Sequence, residues 1–113
     1  MGYSYHSLIL ENDGALWGCG YNGVGQLGLG DGTNRTTFTQ ITTNDVKSVY
    51  CGWYHTFILE NDGTLWGCGY NGEGQLGLGD ATNRYTFTQI TTNTDNIKEI
   101  YCGWKHTLIL KND

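Results

Sequence analysis

The chain has 113 residues with 18 glycines, no proline and 13% aromatic residues, a composition that favours short strands and tight turns over helices. Six basic and eleven acidic residues leave a net charge of −5, and the basic residues stand singly, so no cationic stripe could neutralise nucleic-acid phosphates. No segment approaches the roughly 20 apolar residues of a membrane span and no signal peptide is visible, so we expect no membrane partner and, by default, a cytoplasmic location.

Residues 12–44 return almost letter for letter as residues 61–93, with four of 33 positions different. The register continues beyond this block, since YCGWYH (50–55) recurs as YCGWKH (101–106). A period of about 50 residues is typical of stacked or radial repeats, in which each unit needs neighbours to bury its apolar faces. The sequence predicts a first unit at 1–52, a second at 53–103, and an extra strand at 104–113 that is equivalent to residues 3–10.

Four strand signals follow one another along the repeat. Residues 54–59 are apolar on both faces, as in a strand covered on both sides, and ENDG (60–63) predicts a hairpin turn. A second strand at 64–69 leads into a loop at 70–80 that is too rich in glycine for a helix. The remaining strands are predicted at 86–91, nearer the rim, and at 97–102.

Four antiparallel strands in each unit make a propeller blade. The predicted fold is therefore all-β, with two four-stranded antiparallel propeller blades plus one extra strand, completed by oligomerisation into a β-propeller ring.

Several separated motifs, which occur in the same order twice, carry a family resemblance. YNGVGQLGLGD (21–31) returns as YNGEGQLGLGD (70–80), CGWYHTFIL (51–59) returns as CGWKHTLIL (102–110), and an Asn-Asp-Gly turn precedes LWG in both units. This combination resembles the RCC1 (regulator of chromosome condensation) repeat over virtually the whole chain. The resemblance implies a β-propeller with about fifty residues in each blade and commonly about seven blades.

The chain departs from the family pattern at a few positions. Cys19 and Cys68 stand where the family commonly has a tryptophan, and the family's proline before the third strand is missing. The nearly identical units with Thr- and Asn-rich linkers look more like those of bacterial members than like those of the chromosomal exchange factor. Family members, which include the exchange factor for the GTPase Ran, use a propeller face to hold another protein. Because none of that factor's GTPase-contacting residues can be matched here, its activity is not carried over.

Two motifs suggest ligand chemistry that their context argues against. GVGQLG (23–28) and its copy GEGQLG (72–77) satisfy the dinucleotide fingerprint G-x-G-x-x-G, but that fingerprint needs a helix N-terminus, and no helix can begin in GLGDGTN. Asp31 lacks the further oxygen ligands that calcium requires, so we interpret it, like its copy Asp80, as a turn-capping residue paired with a nearby arginine such as Arg35. No cofactor and no metal are expected.

The histidines and cysteines recur without a catalytic constellation. His6, His55 and His106 have no recurring nucleophile and carboxylate beside them, so we interpret them as structural residues that open buried strands, and we predict that the protein is not an enzyme. The four cysteines are better explained as small packing residues than as zinc ligands, although one Cys and one His per unit would suffice if two units faced each other.

Aromatic residues stand at the ends of the predicted strands. Such residues either pack the turns or, arrayed around a ring, form a surface that anchors a protein partner. The candidates for partner binding are Tyr21, Trp53, Tyr54, Tyr70 and Trp104.

Two blades with open faces favour a structural scaffold or protein–protein interaction module that self-assembles into a homo-oligomer. Three copies would supply six blades and four copies eight. Because residues 3–10 and 104–110 are duplicates, closure requires that one of them be displaced or be swapped into the neighbouring copy. The alternative is a regulatory binder, similar to a guanine nucleotide exchange factor or an enzyme inhibitor, that acts on another protein through the propeller face.

Overall fold

A computed structural model describes residues 5–41, 45–92 and 94–112. Nine strands and no helix occur within these ranges. The strands are β1 His6–Leu10, β2 Leu16–Gly20, β3 Arg35–Ile41, β4 Val46–Cys51, β5 His55–Glu60, β6 Leu65–Gly69, β7 Arg84–Ile90, β8 Ile97–Cys102 and β9 Thr107–Lys111. Each predicted strand is present within two residues of its expected bounds, except that the first and last are shorter than residues 3–10 and 104–113. Residues 3, 4 and 113 lie outside the described ranges.

The strands form three antiparallel sheets in the described part of the chain, in the orders β1-β2-β3, β4-β5-β6-β7 and β8-β9. The all-β, antiparallel fold class is confirmed. The sheets are offset from the predicted sequence units 1–52 and 53–103, because β4 pairs with β5, with Tyr50 opposite Phe57. The chain passes from one sheet to the next between Ile41 and Val46, so the sequence unit boundary at residues 52 and 53 falls inside the middle sheet. The tight turn after Cys51 folds β5 directly back on β4, which is why these two strands share a sheet.

The hairpin turns form as their sequences predict. In the turn between β5 and β6, the amide of Gly63 donates to the carbonyl oxygen of Glu60 at 2.9 Å, and the amide of Glu60 donates to Thr64 at 2.9 Å. Gly63 has a φ of +89°, which a residue with a side chain adopts only with strain. Asp62 accepts a hydrogen bond from the amide of Thr64 at 3.0 Å and so closes the turn.

The core is built around the middle sheet. Phe57 of β5 packs with Leu65, Leu76 and Ile100 on one side. Its neighbour Ile58 faces the other way and packs with Leu16, Ile41 and Val46 of the preceding strands. β5 is therefore covered on both faces, as its sequence predicted, and β7 lies at the edge of its sheet.

Each glycine-rich loop is organised by one buried asparagine. The Asn22 side-chain amide donates to the backbone carbonyl oxygens of Asp31 and Thr33 at 3.0 and 3.1 Å, while its Oδ1 accepts from the amide of Leu27 at 2.9 Å. Asp31 then forms an ion pair with Arg35 at 3.0 Å, and the second unit repeats the arrangement. The expected turn-capping role of the aspartates is confirmed, since Asp31 and Asp80 accept from the amides of Thr33 and Thr82. The G-x-G-x-x-G segment lies within this loop, and the next element along the chain is a strand.

Within residues 5–41, 45–92 and 94–112, no helix is long and apolar enough to span a membrane. The four cysteines are free thiols, of which Cys68 is fully buried and the others are half-buried. The described residues contain no group of three or more potential metal ligands.

Candidate protein-binding surface

The five predicted aromatic residues lie at one end of the sheets. Tyr21 and Tyr70 follow β2 and β6, where each of these strands ends. Trp53 and Tyr54 form the turn between β4 and β5, and Trp104 lies in the equivalent turn between β8 and β9. Because β5 and β6 pair antiparallel, the last residue of β6 and the first residue of β5 lie at the same end of the sheet, with His55 opposite Gly69.

Four of these five rings make ring contacts across the repeats, and Tyr70 joins them only as a lining residue of the cleft described below. Trp53 stacks on Trp104 with the ring centres 4.9 Å apart. Tyr54 meets Tyr21 edge to face at 6.0 Å. Tyr5, which was not predicted as a site residue, joins the cluster at 6.0 Å from Trp53 and 5.8 Å from Tyr54. The signal for Tyr5 is present in the sequence, because it precedes His6 as Tyr54 precedes His55.

A cleft of about 320 Å³ opens beside this cluster and is lined by Tyr21, Val24, Tyr54, Tyr70, Trp104 and Lys105. The Lys105 ammonium lies 5.2 Å from the centre of the Trp104 ring, within the range of a cation–π contact. Outside the cleft lining, the charge of Glu73 raises the pKa of Tyr70. The cleft therefore combines a mainly aromatic interior with one basic side chain, Lys105, and aromatic residues are enriched at protein-binding surfaces.

Two of the three histidines link neighbouring units in the interior. The Thr56 hydroxyl donates its one proton to the carbonyl oxygen of Gln26 at 2.7 Å, so the Nε2–H of His6 is the donor in the 2.8 Å bond to Thr56. In the next unit, the Nε2 atom of His55 lies 3.0 Å from the hydroxyl oxygen of Thr107. Desolvation lowers the pKa of both imidazoles to about 4. The charge of His55 adds to the lowering at His6, whereas a hydrogen bond with the backbone of His106 opposes it at His55.

These contacts explain why each of the later histidines follows a glycine by three residues. A Cβ on Gly52 would lie 2.3 Å from the His55 ring, so only glycine lets the imidazole approach the turn. His6 and His55 are thus structural, as predicted. His106, at the end of the repeat, is exposed.

A second cleft, of about 440 Å³, lies between the second glycine-rich loop and β9. Its walls include Phe57, Leu76, Ile90 and Ile109, and His106 stands at its edge. This cleft is a gap in the packing at the end of the repeat array, where the β8-β9 sheet has two strands instead of four.

The sequence comparison agrees with this architecture. A family model described as the regulator of chromosome condensation (RCC1) repeat matches residues 13–59 and again 62–110, and a second model of the same repeat matches residues 46–75. The chain belongs to the RCC1 repeat family.

Solved structures place these RCC1 repeats in a propeller. The chain matches Prp20p from Saccharomyces cerevisiae with a TM-score of 0.82 and 24% identity, covering 97% of this chain and 30% of that one. It matches human WBSCR16 with a TM-score of 0.82 and 24% identity, covering 100% and 30%. A chain in the complex of Kap60 with yeast RCC1 (Prp20) matches with a TM-score of 0.74 and 25% identity, covering 98% and 29%.

The chain thus spans less than a third of the length of each of these structures. Its sheets correspond to consecutive blades of a RCC1-type β-propeller.

Proposed function

We propose that this chain is a non-enzymatic RCC1-repeat module that works through protein–protein contacts, and that its first partner is another copy of itself. A comparison within the chain supports the proposal. Phe57 and Leu59 of β5, which has units on both sides, are 1% and 7% exposed. The equivalent Leu108 and Leu110 of β9 are 61% and 44% exposed.

The first strand repeats the pattern, since Ile9 and Leu10 of β1 are exposed while Ile58 and Leu59 are buried. Burial of apolar surface stabilises a contact by about 25 cal/mol per Å². Both ends of the array therefore carry surfaces that gain free energy when a further unit covers them. Because the units are nearly identical, each end of one copy fits the opposite end of another. Such a head-to-tail contact forms a closed ring when its rotation permits, and three or four copies would supply six or eight blades.

The test is the molar mass of the purified chain, measured by light scattering coupled to size-exclusion chromatography over a range of concentrations. We expect three or four times 12.5 kDa at high concentration. A folded species of 12.5 kDa at every concentration would contradict self-association.

The aromatic cleft favours a second candidate, a regulatory binder that holds another protein on this face. The cleft residues Tyr21, Tyr54, Tyr70 and Trp104 have the size and amphipathic character of interface anchors, with Trp53 stacked behind Trp104. The structural relative Prp20p binds Gsp1p and histones. The net charge of −5 on this chain would favour a partner with a basic surface.

Purified histones and Gsp1p are suitable probes for this second candidate. We expect Trp104→Ala to weaken binding at least about tenfold, while Tyr101→Ala, which removes an exposed tyrosine of β8 outside the cleft, leaves it unchanged. Binding that is abolished by salt and is indifferent to Trp104→Ala would be charge attraction alone and would count against the cleft.

A further inference from the structure

We infer that copies of this chain associate by strand exchange, in which β1 of one copy pairs with β8 of another in place of that copy's own β9. The inference rests on the proposed self-association and specifies its geometry. The result would be a four-stranded sheet, with β8 from one copy and β1, β2 and β3 from the next, that reproduces the β4-β5-β6-β7 sheet.

The middle sheet supplies the template for the pairing. In that sheet, Val49 of β4 lies opposite Ile58 of β5. In the last sheet, Ile100 of β8 lies opposite Ile109 of β9 in the same register. Ile9 is the equivalent residue of β1, in the segment SLIL that matches TLIL of β9. β1 pairs only with β2 among the described strands, so no described strand occupies the other edge of β1, where β8 would pair.

The side chains agree with this register. Ile58 packs against Leu16 and Ile41 of the preceding sheet. Their equivalents in the next unit, Leu65 and Ile90, line the 440 Å³ cleft together with Ile109. An incoming β1 would place Ile9, now 44% exposed, against the same two residues. This step exchanges one isoleucine for another and costs little packing.

The gain comes from the strands that follow β1. The first glycine-rich loop packs against β7: the Gly30 amide donates to the Tyr85 carbonyl oxygen at 2.9 Å, Leu29 bridges to Thr86, and a Cβ on Gly28 would lie 2.5 Å from the Phe87 ring. The second loop has the same asparagine-centred hydrogen bonds. Yet a Cβ on Gly77, its equivalent of Gly28, would have no described heavy atom within 4 Å.

β3 carries the missing partner for that loop. Phe38 is the equivalent of Phe87, and it is 44% exposed because no loop covers it. When β1 of one copy occupies the place of β9, β2 and β3 follow in the same sheet and bring Phe38 over Gly77 of the other copy. Gly79 and Leu78 would then face Thr36 and Thr37, as Gly30 and Leu29 face Tyr85 and Thr86.

The hydrogen bond between units is also preserved. His55 bonds the Thr107 hydroxyl of its own chain at 3.0 Å, and Ser7 is the equivalent hydroxyl of β1. After exchange, Ser7 of the second copy would take this position and could donate to the carbonyl oxygen of Gln75, as Thr56 donates to Gln26. The incoming segment therefore satisfies the polar groups that β9 satisfies and adds two further strands.

The test compares two matched variants, Ile9→Lys and Ile109→Lys, by light scattering. Strand exchange requires β1 and dispenses with β9. We therefore expect Ile9→Lys to raise the dissociation constant at least about tenfold, while Ile109→Lys leaves it unchanged or lowers it. Both isoleucines are exposed in the single chain, and circular dichroism of each variant at low concentration checks that the fold is retained.

A third variant, Phe38→Ala, tests the contact between copies directly, because it removes an exposed ring from the single chain. We expect its association to weaken at least about tenfold. If the unmodified chain associates but Ile9→Lys and Ile109→Lys weaken it equally, or Phe38→Ala has no effect, strand exchange is wrong while self-association stands. If the unmodified chain stays at 12.5 kDa, both proposals are wrong.

Discussion

At the scale of single residues, the chain is organised by buried polar groups that occur once per unit. Thr56 receives a hydrogen bond from His6 and donates one to Gln26, so a single hydroxyl connects two units through three residues. All three side chains are buried, and a buried polar group that loses its partner costs free energy. The repeated spacing of these residues thus serves the packing between units.

Replacing Thr56 by valine keeps the shape of the side chain and removes both hydrogen bonds. We expect Thr56→Val to lower the free energy of unfolding by about 2 kcal/mol, because the His6 Nε2–H and the Gln26 carbonyl oxygen lose a buried partner. Urea unfolding measures the change. Thr107→Val is the matched control at the half-buried end of the array, and an equal loss there would contradict the role of burial.

The two buried histidines also predict how stability depends on pH. Their pKa values are lowered to about 4 in the folded chain, whereas an imidazole in the unfolded chain takes up a proton near pH 6.5. Between these values the unfolded state binds more protons, so stability falls as pH falls through this window and loses nothing further from these groups below it.

We expect each histidine to reduce the free energy of unfolding by up to about 1.4 kcal/mol per pH unit between pH 6.5 and 4. Urea unfolding at pH 8, 7, 6 and 5 measures the slope. The aspartates Asp31 and Asp80 have lowered pKa values through their arginine partners, so they titrate below this window. A flat profile from pH 7 to 5 would show that His6 and His55 take up protons as readily in the folded chain as in the unfolded chain.

At the scale of the elements, the two glycine-rich loops are the same structure in two surroundings. Gly28 and Gly77 have φ values of +68° and +69°, so a side chain at either position meets the same backbone strain. They differ in their neighbours, because Gly28 faces the Phe87 ring and Gly77 faces no described atom within 4 Å. The pair therefore separates backbone strain from packing between units.

We expect Gly28→Ala to lower the free energy of unfolding by about 1–3 kcal/mol more than Gly77→Ala, since the new methyl group must displace the Phe87 ring. Urea unfolding at a concentration where scattering shows a single copy gives the comparison. Equal losses would show that the first loop is not held against β7.

At the scale of the whole molecule, the array is well packed at its centre and open at both ends. β5 is buried on both faces, whereas β1 and β9, which have nearly the same sequence, expose their apolar side chains. The three strands differ in burial because β5 is packed on both faces, whereas β1 and β9 lie at the two ends of the array. The different burial of these nearly identical segments indicates the missing neighbours at the two ends.

Association that covers these ends would make thermal stability depend on concentration, because a partner that binds the folded state raises the Tm by mass action. We expect the Tm of the unmodified chain to rise as its concentration is raised 100-fold. Differential scanning calorimetry measures it, with Phe38→Ala as the control whose Tm stays nearly constant. A Tm that is independent of concentration for both proteins would contradict self-association.

The sequence by itself determined the repeat, the strands, the hairpin turns and the aspartate–arginine pairs, because these depend on local patterns: alternating apolar residues, glycine at positive φ, and charges four residues apart. It also brought the aromatic residues to one end of the strands. Tyr5 became a member of this cluster only through the structure, which shows that Tyr54 contacts both Tyr5 and Tyr21.

Only the tertiary structure decided which strands share a sheet and where the repeats contact each other. A repeated sequence can be divided at any residue, and it is the pairing of β4 with β5 that places the sheet boundary between Ile41 and Val46. The link from His6 to Thr56 and the packing of Gly28 on Phe87 join residues about one repeat or more apart, and no local pattern records them. Burial depends on neighbours in space, so equivalent residues such as Phe57 and Leu108 differ in exposure although their sequences nearly agree.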